Sequence, residues 1–142
     1  GSSPFLNAQR HAGASHLLCM DLKDFFPSIS TQMVSSVWSE LGYSPDVVEQ
    51  LTALTTFRGG LPQGAPTSPA IANIASKEMD EKLQALAHAH GYAYSRYADD
   101  ITFSSHALIS IEFEVLVREA INSSGFKVNS KNTRFLGRGS AM

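Results

Sequence analysis

The chain of 142 residues contains a single cysteine, Cys19, so no disulfide can form within it. Cys19 sits in the apolar run Leu17-Leu18-Cys19-Met20, which reads as a buried, inert thiol, and a chain without disulfides fits a reducing compartment. No apolar run approaches the roughly 20 residues of a membrane-spanning helix, and Gly1-Ser2-Ser3-Pro4 lacks the basic and then apolar opening of a signal peptide. Excess positive charge is also missing. The formal net charge is −2, which counts against a self-sufficient polynucleotide binder. The five histidines do not cluster with the cysteine, and His88 and His90 are two apart on a helical pattern and face different directions, which counts against a zinc site there. What remains is an ordinary globular composition, 43% hydrophobic and 17% charged.

Proline and glycine gather in one place, Arg58 to Pro69; elsewhere the pattern is regular. Residues 1–16 read as an irregular N-terminal segment. Leu17 to Met20 predict a short buried strand ending at Asp21. Helical periodicity runs from Thr31 to Leu41 through Met33, Val34, Val37 and Trp38, and again from Pro45 to Phe57. Ser68 is placed as the cap of a long helix with Pro69 in its first position, continuing to about His90. Tyr92 to Ser104 predict a hairpin with Asp99-Asp100 at its turn, Ile111 to Asn122 a further helix, and Phe126 to Asn129 a last strand. This order predicts an α+β fold, a small antiparallel sheet with helices packed on one face.

The chemistry concentrates in acidic residues. Tyr97-Ala98-Asp99-Asp100 sets two adjacent carboxylates among apolar and aromatic neighbours. At about 4 Å two such charges repel by roughly 4 kcal/mol at a surface-like dielectric, so either a turn exposes both or a cation neutralises them. Asp21, at the end of the other predicted acidic strand, supplies a third carboxylate. Hard oxygen ligands of this kind suit Mg2+, and two such ions about 4 Å apart serve in-line displacement at phosphorus. Asp21 and Asp99 are the pair chosen as bridging ligands; for a lone Asp at a strand end the structural alternative is a turn or cap residue.

These strings resemble the reverse transcriptases, and among them the bacterial retron type. Leu18-Cys19-Met20-Asp21-Leu22-Lys23-Asp24-Phe25-Phe26-Pro27-Ser28-Ile29 resembles the first motif of the polymerase palm, Leu61 to Ala70 the second, Tyr97-Ala98-Asp99-Asp100 the third, and Gly125-Phe126-Lys127-Val128-Asn129 the start of the fourth. Asn7-Ala8-Gln9-Arg10-His11 is similar to an element that precedes the first motif in retron enzymes. The resemblance implies a polymerase palm with a ferredoxin-like sheet over residues 17–142, with a returning fingers segment at about 42–60. It implies that the first part of the fingers, the primer grip and the thumb lie outside these residues, and that the fragment alone has little or no polymerase activity and is prone to non-native self-association.

The resemblance further implies site roles. Asp21, Asp99 and Asp100 would be catalytic and metal-holding, with the Leu22 carbonyl as a backbone ligand; the cofactor would be two Mg2+ ions, with Mn2+ as a substitute. Asp24, Phe25, Phe26 and Gln63 would face the incoming nucleotide, Phe26 as the ring that leaves no room for a 2′-hydroxyl. A lysine that protonates the leaving pyrophosphate is expected in the fourth motif, but Asn132 stands at that position and Lys131 one earlier. Lys131 is therefore the candidate general acid, with a solvated surface lysine as the alternative. Expected partners are an RNA template, a DNA or RNA primer and deoxynucleoside triphosphates, in the bacterial cytoplasm and with no membrane. The retron type implies synthesis of an RNA-linked DNA and a role in phage defence. The rival reading is a group II intron-type reverse transcriptase or maturase acting mainly as an RNA-binding module.

Overall fold

The computed structural model describes His11 and residues 13–137. They fall into two compact units: one formed by the described residues up to Lys23 together with those from Glu78 onward, the other by Asp24–Lys77.

The first unit is built on a four-stranded antiparallel sheet of β1 (His16–Asp21), β2 (Ala93–Tyr97), β3 (Asp100–Ser105) and β4 (Arg134–Gly137), in the spatial order β2-β3-β1-β4. Counting its crossovers, the chain order is β-α-β-β-α-β, the ferredoxin-like arrangement. Helices α5 (Lys77–His90) and α6 (Ile111–Ser123) supply the helical layer. The strand register sorts the side chains. Leu18 pairs with Phe103 and Met20 with Ile101, while Tyr94 and Arg96 pair with the same two β3 residues from the other side. Side chains directly opposite in an antiparallel ladder share a face, so these six line one face of the sheet. Phe113 of α6 is fully buried against it, its ring edge-on to Phe103 at 5.0 Å. Met79, Leu83 and Ala87, one stripe of α5, are also fully buried. The opposite face carries the alternate residues, among them Cys19, Asp21, Asp100 and Thr102.

The second unit is helical: α1 (Phe25–Ser28), α2 (Thr31–Glu40), α3 (Pro45–Thr55) and α4 (Ser68–Ala75). Ser30 caps α2, its hydroxyl accepting from the Met33 amide. Phe57 to Gly60 close a tight reverse turn in which Phe57 and Gly60 exchange both backbone hydrogen bonds and Arg58 and Gly59 take positive φ, as a hairpin turn of the primed type requires. At Gly60 an added Cβ would lie 2.4 Å from the Pro27 carbonyl oxygen. The close backbone approach that this glycine permits is to Pro27 of its own unit.

Several expectations need correction. The long helix from Ser68 to His90 is two helices. The break falls at Ser76, fully buried, whose hydroxyl donates back to the Ala72 carbonyl and competes with the helical ladder. Thr67, not Ser68, occupies the cap position; the Ser68 hydroxyl donates instead to the Pro62 carbonyl. Phe126 to Asn129 form no strand beyond a single bridge between Leu22 and Val128, and the fourth strand begins at Arg134. The buried members of α2 are Val34 and Val37, whereas Met33 and Trp38 are half-buried, with the Trp38 indole donating to Thr55. Leu54, an apolar residue within the helical run predicted from Pro45 to Phe57, is 81% exposed. No helix among the described residues is long and apolar enough to cross a membrane.

Candidate active site

The two central strands bring the acidic residues together. Asp21 ends β1 and Asp100 opens β3, and the two are register partners. Asp99 stands in the turn between β2 and β3, and its carbonyl accepts the Leu22 amide at 2.9 Å. All three acidic positions therefore meet at one end of the sheet, on β1 and on the β2–β3 hairpin that a single crossover joins to it. Asp99 lies inside the turn and Asp100 just past it, where the hairpin was expected to bend.

The carbonyl of Asp21 accepts the Asn129 amide and the Lys23 amide donates to the Lys127 carbonyl, which together form the bridge around Leu22 and Val128. That pattern uses Asp21 and Lys23, so the Leu22 carbonyl is not consumed by the bridge. The Asp21 side chain is only partly satisfied. Asn132 donates to its Oδ2 at 3.2 Å, while Oδ1 is buried without a hydrogen-bond partner. A buried carboxylate oxygen left unpaired is costly unless a cation or donor completes it.

The Asp100 carboxyl is raised from its ordinary value, first by desolvation, then by the negative charges of Asp99 and Asp21, with Arg134 opposing. The three groups thus feel one another. Among the described residues, however, no group of three His, Cys, Asp or Glu side chains stands arranged to hold a metal ion. The backbones of Asp21, Asp99 and Asp100 converge at this end of the sheet. Their all-oxygen chemistry and the orphaned Asp21 Oδ1 both fit a hard divalent ion.

A cavity of about 520 Å3 opens over these groups, lined by Asp21, Asp100, Lys131, Asn132 and Arg134 among others. Lys131 is exposed in the short 3-10 turn Ser130–Asn132. Arg134 lies opposite Cys19 in the β1–β4 register and supplies positive charge near both Cys19 and Asp100. Cys19 is half-buried on the open face rather than buried as expected, because its strand position alternates with the core residues Leu18 and Met20; desolvation still pushes its thiol up, with Arg134 opposing.

The remaining candidates belong to the helical unit. Asp24 is exposed with φ of 48°, at the head of α1, and its side chain caps nothing. Phe25 is buried; Phe26 is half-buried, its ring edge-on to Phe25 at 5.2 Å. Gln63 is exposed, one residue before Gly64. Of the element preceding the first motif, residues 7–10 lie outside the described residues; His11 joins Ser104 and Ser95 through its two ring nitrogens, as a structural histidine does.

Sequence reasoning missed two groups. One is Arg134 together with the contact of Asn132, a position already noted, to Asp21, beside the acidic cluster. The other is Asp80 on α5, which receives Arg96 Nε at 2.8 Å, Arg96 Nη2 at 2.9 Å and the Tyr94 hydroxyl at 2.6 Å. The available signal was Arg96 itself, a charge at a position that alternation with Tyr94 places inward, which demands an acidic partner.

Comparison with known proteins agrees with this arrangement. The family described as reverse transcriptase (RNA-dependent DNA polymerase) matches residues 3–139, and the chain belongs to that family, which generally uses divalent metals. Relatives that it matches include retron enzymes. The chain is 38% identical over 128 residues to the retron Ec86 reverse transcriptase of Escherichia coli, covering 89% of this chain and 40% of that protein. It is 36% identical over 160 residues to the retron Mx65 reverse transcriptase of Myxococcus xanthus, covering 99% and 38%. The chain therefore spans about two fifths of those relatives' length. In fold it is similar to an apo telomerase from Candida tropicalis truncated from its C-terminal domain, with a TM-score of 0.63 at 12% identity over 96% of this chain and 33% of that one.

Proposed function

We propose that this chain is the catalytic palm of an RNA-directed DNA polymerase of the retron type, with residues at about 42–60 as its returning fingers segment. The reaction is attack of a primer hydroxyl on the α-phosphate of a deoxynucleoside triphosphate, directed by an RNA template, with release of pyrophosphate. The observation that carries this reading is the register pairing of Asp21 with Asp100, with Asp99 bonded alongside through its carbonyl.

Asp21, Asp99 and Asp100 would hold Mg2+, or Mn2+ in its place, with the Leu22 carbonyl as a further oxygen. Bound there, divalent ions supply charge neutralisation for the primer hydroxyl as it ionises and for the departing pyrophosphate. Asn132 orients the Asp21 carboxylate through the bond to Oδ2, leaving Oδ1 for the cation. Phe26 excludes a 2′-hydroxyl by apolar bulk, while Asp24, Phe25 and Gln63 contribute to the nucleotide pocket. Lys131, exposed at the same cavity as Asp21, would be the general acid for the leaving pyrophosphate. The product would be an RNA-linked DNA made in the bacterial cytoplasm.

The test is Asp99→Asn in an intact reverse transcriptase carrying this sequence. Primer extension on an RNA template is expected to fall by at least a thousandfold, with RNA binding unchanged; extension at the wild-type rate would remove the carboxylates from the chemistry.

A further inference from the structure

The turn that carries Asp99 holds a residue in an uncommon conformation. Ala98 has φ of 54°, a left-handed backbone that residues with a Cβ rarely adopt without support. The support is visible. Arg96 Nη1 donates to the Ala98 carbonyl at 2.7 Å. The other side of the same guanidinium is engaged by both carboxylate oxygens of Asp80, and Asp80 also receives the Tyr94 hydroxyl. Arg96 is buried, its side chain only 6% exposed. Asp80 is fixed by α5, a helix of fourteen residues anchored through the buried Met79, Leu83 and Ala87. A rigid helix thus grips a guanidinium, which grips the carbonyl next to Asp99.

We infer that the Asp80–Arg96 pair is a positioning device that holds the Ala98–Asp99 turn in place and so presents Asp99 to its cation. A pair serving stability alone would be complete with the two bonds between Asp80 and Arg96. The third bond, from the same planar fork to the turn itself, is what couples α5 to the site. Only arginine can make all three at once, since a lysine ammonium is a point charge without the fork. The presentation of Asp99 rests on the proposed function above; the holding of the turn does not.

The test measures both parts in Arg96→Lys. Hydrogen exchange at the Leu22 amide, which donates to the Asp99 carbonyl, reads the turn directly. It is expected to speed at least tenfold while amides in the interior of the β1–β3 ladder stay within twofold. Equal acceleration of both, or none at Leu22, would overturn the positioning role. Mn2+ titration followed by electron paramagnetic resonance reads the consequence: affinity is expected to fall about tenfold in Arg96→Lys and further in Asp99→Asn. Wild-type Mn2+ affinity in Asp99→Asn would overturn the ligand assignment and with it the presentation of Asp99, while the exchange result still decides the turn. Loss in Asp99→Asn with none in Arg96→Lys would overturn the presentation of Asp99 alone. If Arg96→Lys does not fold, Tyr94→Phe keeps the ion pair and removes one bond to Asp80; a severalfold faster Leu22 exchange is then expected, and an unchanged rate would overturn the device.

Discussion

The sheet unit and the helical unit are held together by different means. Among the described residues the ion pairs Lys82–Glu78, Arg96–Asp80 and Arg118–Glu114 all lie in the sheet unit, together with the contiguous rings of Tyr92, Tyr94, Phe103 and Phe113. The helical unit, among the described residues, has no ion pair; beside the Trp38–Thr55 bond, backbone bonds cross between its segments: Thr31 to Gly59, Leu61 to Ile29, and the reciprocal pair of Phe57 and Gly60. Side-chain grip suits a frame that must hold charges at fixed positions. Backbone stitching suits a unit whose proposed role is to lay its main chain and a few side chains along a substrate. The difference teaches that the two units have different weak points.

The comparison is broken most severely in the sheet unit at Phe113. Phe113→Ala removes a fully buried ring from the stack and is expected to cost about 3–5 kcal/mol, measured by hydrogen exchange of the β1–β3 ladder amides. A cost below about 1 kcal/mol would show that the ring stack is not what holds the sheet unit. Next is Gly60→Ala in the helical unit. Its Cβ would meet the Pro27 carbonyl oxygen at 2.4 Å, a backbone atom with no rotamer to yield, so a loss of about 1–3 kcal/mol is expected. Trp38, the single tryptophan of the chain, lies in this unit and reports the shift by fluorescence; an unchanged midpoint would deny the backbone stitching its role.

The smallest effect sharpens the view of the acidic end. The Asp100 carboxyl is raised in the folded state by desolvation and by Asp99 and Asp21, so the folded chain binds its proton more tightly than the unfolded chain does. Stability from this group is therefore full below the ordinary aspartate range, falls as pH rises through the raised value, and stays lower above it. Asp100→Asn is expected to stabilise the metal-free chain at pH 7 by on the order of 0.5 kcal/mol once solvent screening of this exposed group is allowed for. The gain should vanish near pH 3 in urea unfolding, and a gain independent of pH would assign it to something other than the charge.

Much of this was legible in the chain. β1 could be read because Leu17 to Met20 are apolar and end in an acid; α2 and α6 could be read from apolar residues at helical spacing, and the structure adds that Ser30 and Ser110 cap them, accepting from Met33 and Phe113. The acidic cluster was legible because adjacent carboxylates in an apolar run need a reason. The fourth strand was not. Phe126 looks like the start of a strand, but Gly125, at φ of 91°, ends α6, and the Phe126 amide returns to the Ile121 carbonyl, so the residue belongs to the helix stop. Arg134 to Gly137 are short and partly exposed, which leaves little alternation to detect. Asn132 and Asp80 were illegible for a different cause. Their importance lies in partners far along the chain, Asp21 and Arg96, and periodicity carries no information about such pairs.

The sheet unit is interrupted in sequence by the whole of Asp24–Lys77. During synthesis β1 emerges first, and both strands that flank it, β3 and β4, come much later. The entropy of closing so long an interval grows only slowly with its length, but an unpaired strand that includes Leu17-Leu18-Cys19-Met20 is an open template for another chain in the meantime. β1 therefore gains its first neighbour only once Ser105 has been made and its second only once Gly137 has, and the strand that ends in the first acid of the site is the one left waiting.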